Sequence, residues 1–231
     1  MCLPPFSNPP HGRAAKWGKC AYDGREERQF GVALRRKWAE NMIRKGEMRM
    51  NRVVRPVETR HAQAALQLVE EVFSAYKGAE EGRVVRQLVE EIRAGRYYVP
   101  ELELMAVDDR DEIIGYAMFS RFHLEGKYDR QLLLLTPVAV KTDLQRQHIS
   151  KDIIEFGFEQ AANMGYELVL VEGNPRNYRA RGFVTSCEHG IVAGPAIHLP
   201  APECLMVREL KPGALGTIRG VVDYAMYPAL T

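Results

Sequence analysis

The chain has 231 residues, 46% of them hydrophobic and 27% charged, with a net charge of +2. These values sit near globular averages, which excludes a fibre or a wholly disordered chain and leaves room for a sizeable core. Cys2, Cys20, Cys187 and Cys204 form no CxxC pair and have no histidine at zinc-like spacing, so neither a metal site nor a disulfide framework is expected.

The basic charge is confined to the first 50 residues, which carry 11 Lys and Arg against 5 Asp and Glu; residues 51–231 carry 21 against 25. Pro4, Pro5, Pro9 and Pro10 fall where a signal peptide would need its apolar core. No apolar run approaches the ~20 residues of a membrane helix, and a soluble, cytoplasmic protein is expected. Residues 1–50 read as a disordered basic extension, and a nucleic-acid partner is conceivable only through it. Met48 and Met50 stand directly before the first strand-like segment, which also fits an over-extended reading frame.

From Arg52 onward the pattern is an ordered alternation. "RVVRPVE" reads as a strand, and Thr59 as the N-cap of a helix in which Ala62, Ala65, Leu66, Val69, Val72, Phe73 and Tyr76 recur at helical spacing. A second helix runs through Val84, Leu88 and Ile92 to Gly95. "ELMAVDD" and "EIIGYAMFSRF" flank the polar turn "DDRDE" and predict a hairpin. "QLLLLTPVAV" is apolar almost throughout, as in a central strand covered on both faces. Lys151 to Met164 is helical and "YELVLVEG" is another buried strand. The order β-α-α-β-β-β-α-β predicts an α/β (α+β) fold ending in a βαβ unit.

Three stretches within Arg52–Pro228 resemble the GNAT superfamily of N-acetyltransferases, and within it the small bacterial type: "LLTPVAVKTDLQRQHISKDIIEFGFEQAANMGYELVLVEG", "NPRNYRARGF" and "ELKPGALGTIRGVVDYAMYPA". The resemblance implies one domain over residues 51–231, with a mixed, mostly antiparallel sheet flanked by helices and a splayed pair at the fourth and fifth strands. It implies acetyl-CoA as co-substrate and a small-molecule or protein amine as acceptor. The main-chain groups of Val138, Ala139 and Val140 would meet the pantetheine arm, with Val138 giving the oxyanion N–H. Pro137 lacks an N–H, so a bulge is expected there.

The phosphate turn of that family reads Gln/Arg-x-x-Gly-x-Gly/Ala, and this chain has Gln145, Arg146, Gln147, His148, Ile149 and Ser150 instead. Both glycines are missing. Phosphate needs main-chain N–H groups at a helix N-terminus, and every residue but proline supplies one. Glycine adds permissive dihedrals and close approach; Ser150 is small, whereas His148 either crowds the ligand or donates to it.

In "NPRNYRARGF", Tyr178 matches the family's general acid toward the departing thiolate, its other role being a core tyrosine. Asn174 would bond the pantetheine amide or the tyrosine hydroxyl. Glu172, at the C-terminal end of its strand, is either the base or a solvated strand terminus with water taking the proton. Arg176, Arg179 and Arg181 read as a solvated helix face from which one could reach a phosphate. The rival to an enzyme is a catalytically silent acyl-CoA-binding or partner-binding domain. "GTIRGVVDY" is either an edge strand that pairs with a second subunit in a homodimer or a strand closing its own sheet.

Overall fold

The structure, a computed structural model, describes residues 51–230. The readings made of residues 1–50 lie outside the described residues.

Strand β1 (Val53–Pro56) leads through a 3-10 turn at Thr59–His61 into helix α1 (Ala62–Lys77), and α2 (Ala79–Ala94) follows after Gly78. Thr59 does not cap α1. It opens the 3-10 turn, because the His61 N–H donates back to the Glu58 carbonyl at 2.8 Å, and His61 takes the N-cap position with no side-chain bond. Strands β2 (Glu103–Val107), β3 (Ile113–Leu124) and β4 (Lys127–Val140) form an antiparallel meander. Helix α3 (Ile149–Asn163) crosses to β5 (Leu168–Glu172), which lies parallel to β4. After a short helix α4 (Pro175–Arg179) come β6 (Val184–Thr185), β7 (Ile191–Ala193), β8 (Leu205–Glu209) and β9 (Gly220–Val222).

The main sheet has the order β1-β2-β3-β4-β5-β8-β6, and all its neighbours are antiparallel except β4 and β5. This is the mixed α/β fold with a parallel β4/β5 pair that the sequence led us to expect. Strand β9 does not stand at an edge of that sheet; it pairs in parallel with β7. Among the described residues no helix is long and apolar enough to cross a membrane.

The sheet separates two apolar layers. Its front face packs Tyr116, Met118, Leu132, Leu134, Leu168 and Leu170 against α1 and α2. Its back face packs Phe119, Leu133, Leu135, Val169 and Val171 against Ile149, Ile153 and Phe158 of α3. Glycine matters where layers touch: a Cβ on Gly157 of α3 would stand 2.3 Å from the Phe119 ring. At the front, the buried Glu103 carboxylate holds α2 to the sheet, receiving Arg93 Nε at 2.9 Å and the Tyr116 hydroxyl at 2.8 Å.

Candidate active site

A parallel pair that comes apart builds the site. Strands β4 and β5 are paired only from Leu132 with Leu168 to Leu134 with Leu170. Beyond that, β4 is turned by a bulge. Ala117 of β3 faces Val138 and Phe119 faces Leu135, so Met118 alone lies opposite Thr136 and Pro137, which are joined by a cis peptide. Because side chains alternate along a strand, one extra residue exchanges the faces. Before the bulge Leu132 and Leu134 point to the front; after it Ala139 does, and Val138 and Val140 point to the back.

Hydrogen-bond alternation then shows which main-chain groups are free. The Lys141 N–H donates to the Ile114 carbonyl at 3.1 Å, in register with Tyr116 opposite Ala139. Only alternate residues of an antiparallel strand bond to a given neighbour. Ala139 therefore spends its N–H and carbonyl on β3, whereas Val138 and Val140 turn theirs toward β5. Of the three main-chain positions expected to meet a pantetheine arm, Val138 and Val140 open into the gap and Ala139 does not. Across it, the Gly173 N–H donates to the Cys204 carbonyl at 2.9 Å. By the same alternation Gly173 faces β8, and the main chain of Glu172 faces the gap.

At the foot of the gap stands the N-terminus of α3. The turn before it exposes Gln145, Arg146, Gln147 and His148, while Ile149 is buried and Ser150 half-buried. Arg146 (φ +66) and His148 (φ +62) both adopt the left-handed conformation. His148 thus adopts, at its own energetic cost, a dihedral that glycine would adopt freely. Ser150 lies inside the helix, where no such dihedral is needed. No side chain caps α3, so its first N–H groups and the positive end of its dipole are directed out of the helix.

Two arginines brace this turn, and sequence reasoning missed one of them altogether. The buried Arg52 guanidinium donates to the Gln147 carbonyl at 2.9 Å and, from Nε, to the Asp152 carboxylate at 2.7 Å. It fastens the turn to the first helical turn from a place just before β1, 95 residues away in sequence. Arg181 donates to Ser150 Oγ at 3.0 Å and to the Asn177 carbonyl. Of Arg176, Arg179 and Arg181, it is the one bonded to the start of α3.

Glu172 and Tyr178 sit on opposite sides of the β5 tip. The Glu172 side chain shares the front face with Leu170 and Leu168 and accepts a hydrogen bond from the Tyr224 hydroxyl at 3.0 Å. Burial, and then the neighbouring carboxylate, push the Tyr224 phenol well above its ordinary range. Tyr224 lies in the C-terminal stretch that carries the resemblance, but nothing in its spacing marks it as the partner of Glu172. Tyr178 packs at the back, edge-on to Phe183 at 5.5 Å, and so tightly over β5 that a Cβ on Gly173 would stand 2.6 Å from its ring. Burial raises the Tyr178 phenol, partly offset by Arg181, so it stays protonated at neutral pH. Asn174 is used locally: its side-chain oxygen accepts the Arg176 N–H at 3.0 Å and caps α4.

The sequence profile of the Acetyltransferase (GNAT) family matches residues 63–188, more than half of the chain. The chain belongs to the GNAT family of acetyltransferases. It is 28% identical over 139 residues to the uncharacterized N-acetyltransferase YhbS of Escherichia coli K12, covering 60% of this chain and 79% of that protein. A crystal structure of E. coli YhbS in complex with CoA superposes with a TM-score of 0.68 at 23% identity, covering 78% of this chain and 93% of the other. A GNAT acetyltransferase from Brucella melitensis in complex with acetyl-CoA gives 0.58 at 23%, covering 77% and 99%. As a GNAT acetyltransferase the protein is an enzyme, and the fold described above is the family's.

Proposed function

We propose that this GNAT enzyme transfers the acetyl group of acetyl-CoA directly to the amine of a small molecule or protein. The observation that carries the reading is the convergence of three sets of free donors and acceptors. The outward main chain of Val138 and Val140, the facing main chain of Glu172, and the uncapped start of α3 all border one gap. The edges suit an extended amide-bearing arm, and the helix start, with Arg146 and Arg181 beside it, suits a diphosphate. Acetyl-CoA supplies the thioester whose acyl group moves to nitrogen. Glu172 accepts the ammonium proton, with Tyr224 holding its carboxylate in place. The Val138 N–H donates to the oxygen that gains charge, and Tyr178 gives its proton to the sulfur as the carbon–sulfur bond breaks. The amine side and the thiol side of the reaction then fall on opposite faces of one strand end, so base and acid do not neutralise each other.

Residues 51–231 are proposed to be the whole catalytic domain, working in the cytoplasm. A chain truncated to begin at Met50 should then bind acetyl-CoA as the full chain does, and a tenfold weaker affinity would make residues 1–49 part of the site. The main test is titration with acetyl-CoA followed by thiol release across an amine panel. Tyr178→Phe should lower kcat at least tenfold and leave acetyl-CoA affinity within twofold. Undiminished turnover would remove Tyr178 as the acid, and binding without turnover on any amine would leave an acyl-CoA-binding domain.

A further inference from the structure

Between β7, the loop that follows it and the start of β8 lies a cavity of about 340 Å³. Val192, Ala193, Ile197, Leu199 and Leu205 form most of its wall, and among the described residues no charged side chain lines it. Ser186 lines it too. That residue is fully buried, and among the described residues its hydroxyl has no hydrogen-bond partner. A buried hydroxyl without a partner is costly, and in a cavity it marks a place where a ligand atom can bond.

The cavity adjoins the proposed base. Leu205 is the cross-strand partner of Glu172, and directly opposed residues of an antiparallel pair project to the same face. Because Gly173 is bonded to Cys204, Glu172 and Leu205 form the closer, non-hydrogen-bonded kind of pair, with Cα atoms about 4.5 Å apart. Ala193, Ile197 and Leu199 pack against that same front layer. A group held beside Glu172 therefore has an apolar recess next to it. At the ~30 Å³ that one water occupies in the liquid, the recess has room for roughly ten non-hydrogen atoms.

We propose that this cavity selects the acyl acceptor, taking an uncharged, mainly hydrocarbon group attached to the reacting amine, with a hydroxyl or carbonyl oxygen paired to Ser186. The inference rests on the acetyl-transfer reading for its chemistry, but the cavity is tested by binding alone. Polyamines and aminoglycosides fit it badly, since a second ammonium would enter a wall without carboxylates.

The experiment titrates the full-length protein, saturated with CoA, with propylamine, hexylamine, phenylethylamine, 4-hydroxyphenylethylamine and 1,5-diaminopentane. Affinity should rise about fourfold per methylene from propylamine to hexylamine. The diamine should bind at least tenfold more weakly than hexylamine, and the phenol about fivefold more tightly than phenylethylamine. Ser186→Ala should erase the phenol's advantage and keep the methylene slope, whereas Ala193→Phe should fill the recess and flatten the slope. Calorimetric CoA affinity should be unchanged in both variants and certifies their fold. If Ala193→Phe fails that check, Val192→Trp replaces it. A flat series in the wild type, or a slope that survives the filled cavity, overturns the proposal. Binding that follows this pattern without any acetyl transfer would sink the enzymatic reading and leave the cavity standing.

Discussion

His148→Gly tests whether the turn before α3 carries stored backbone cost. His148 sits at φ +62, ψ +13, a conformation that costs an ordinary L-residue about 1–2 kcal/mol and glycine almost nothing. Glycine gives back about 0.5–1 kcal/mol through its greater freedom in the unfolded chain. The balance is a stabilisation of about 0.5–1 kcal/mol, which in a domain of this size raises Tm by roughly 2 °C. Scanning calorimetry on wild type, His148→Gly and His148→Ala provides the comparison. Alanine keeps the left-handed cost and should show no gain, which separates the backbone from the imidazole. Acetyl-CoA affinity should stay within twofold in His148→Gly, because the N–H groups of the turn are unchanged in number and direction. A Tm no higher than that of wild type, or an equal gain with alanine, refutes the reasoning. A fivefold loss of affinity would make the imidazole itself a ligand.

Arg52→Met removes the donor to the Gln147 carbonyl and one partner of the buried Asp152 carboxylate. Loss of a buried ion pair's partner costs about 3 kcal/mol, read by urea denaturation, and acetyl-CoA affinity should fall about tenfold as the turn loosens; a stability change below about 1 kcal/mol would show the brace to be idle. At alkaline pH, burial raises the phenols of Tyr98, Tyr116, Tyr178, Tyr224 and Tyr227, the last pushed up to about 12. Below pH ~10 both folded and unfolded chains keep these protons and stability is complete. Above it the unfolded chain ionises first, so stability falls as pH rises toward 12, by up to roughly 3 kcal/mol for Tyr227 alone. Tyr227→Phe, which gives up the bond to Ser120 Oγ, should shallow that decline, and an unchanged slope would count against the assignment.

Much of this fold could be read from residue spacing, because its elements are long and periodic. The 3.6-residue spacing of α1 and α2 reads as helix, the short length of the "LLLL" run and the proline after it favour a buried strand, and Pro137, lacking an N–H, points to the bulge. The start of α1 lies two residues later than its expected place because a single turn of tighter helix precedes it, and no residue type distinguishes Thr59 in a 3-10 turn from Thr59 as a cap. For the candidate site, strand-end position suggests Glu172 and the family pattern suggests Tyr178, and the structure places the two on opposite sides of the β5 tip. What could not be read is long-range pairing. Arg52 meets Gln147, Tyr224 meets Glu172 and Arg181 meets Ser150 only because the sheet folds them together. Nor does spacing tell that Ala139 faces β3 while its neighbours face the gap, since that depends on which alternate set of hydrogen bonds β3 takes up.

The bulge opposite Met118 ties the gap between β4 and β5 to the number of residues in β4 rather than to their chemistry. Deleting either Thr136 or Pro137 would leave one residue opposite Met118, keep Ala139 on the front face with Val138 and Val140 turned from β3, and remove the bend and added twist that carry β4 away from β5. The apolar composition of the strand would be almost untouched, yet β4 would run on beside β5 and the gap between them would narrow.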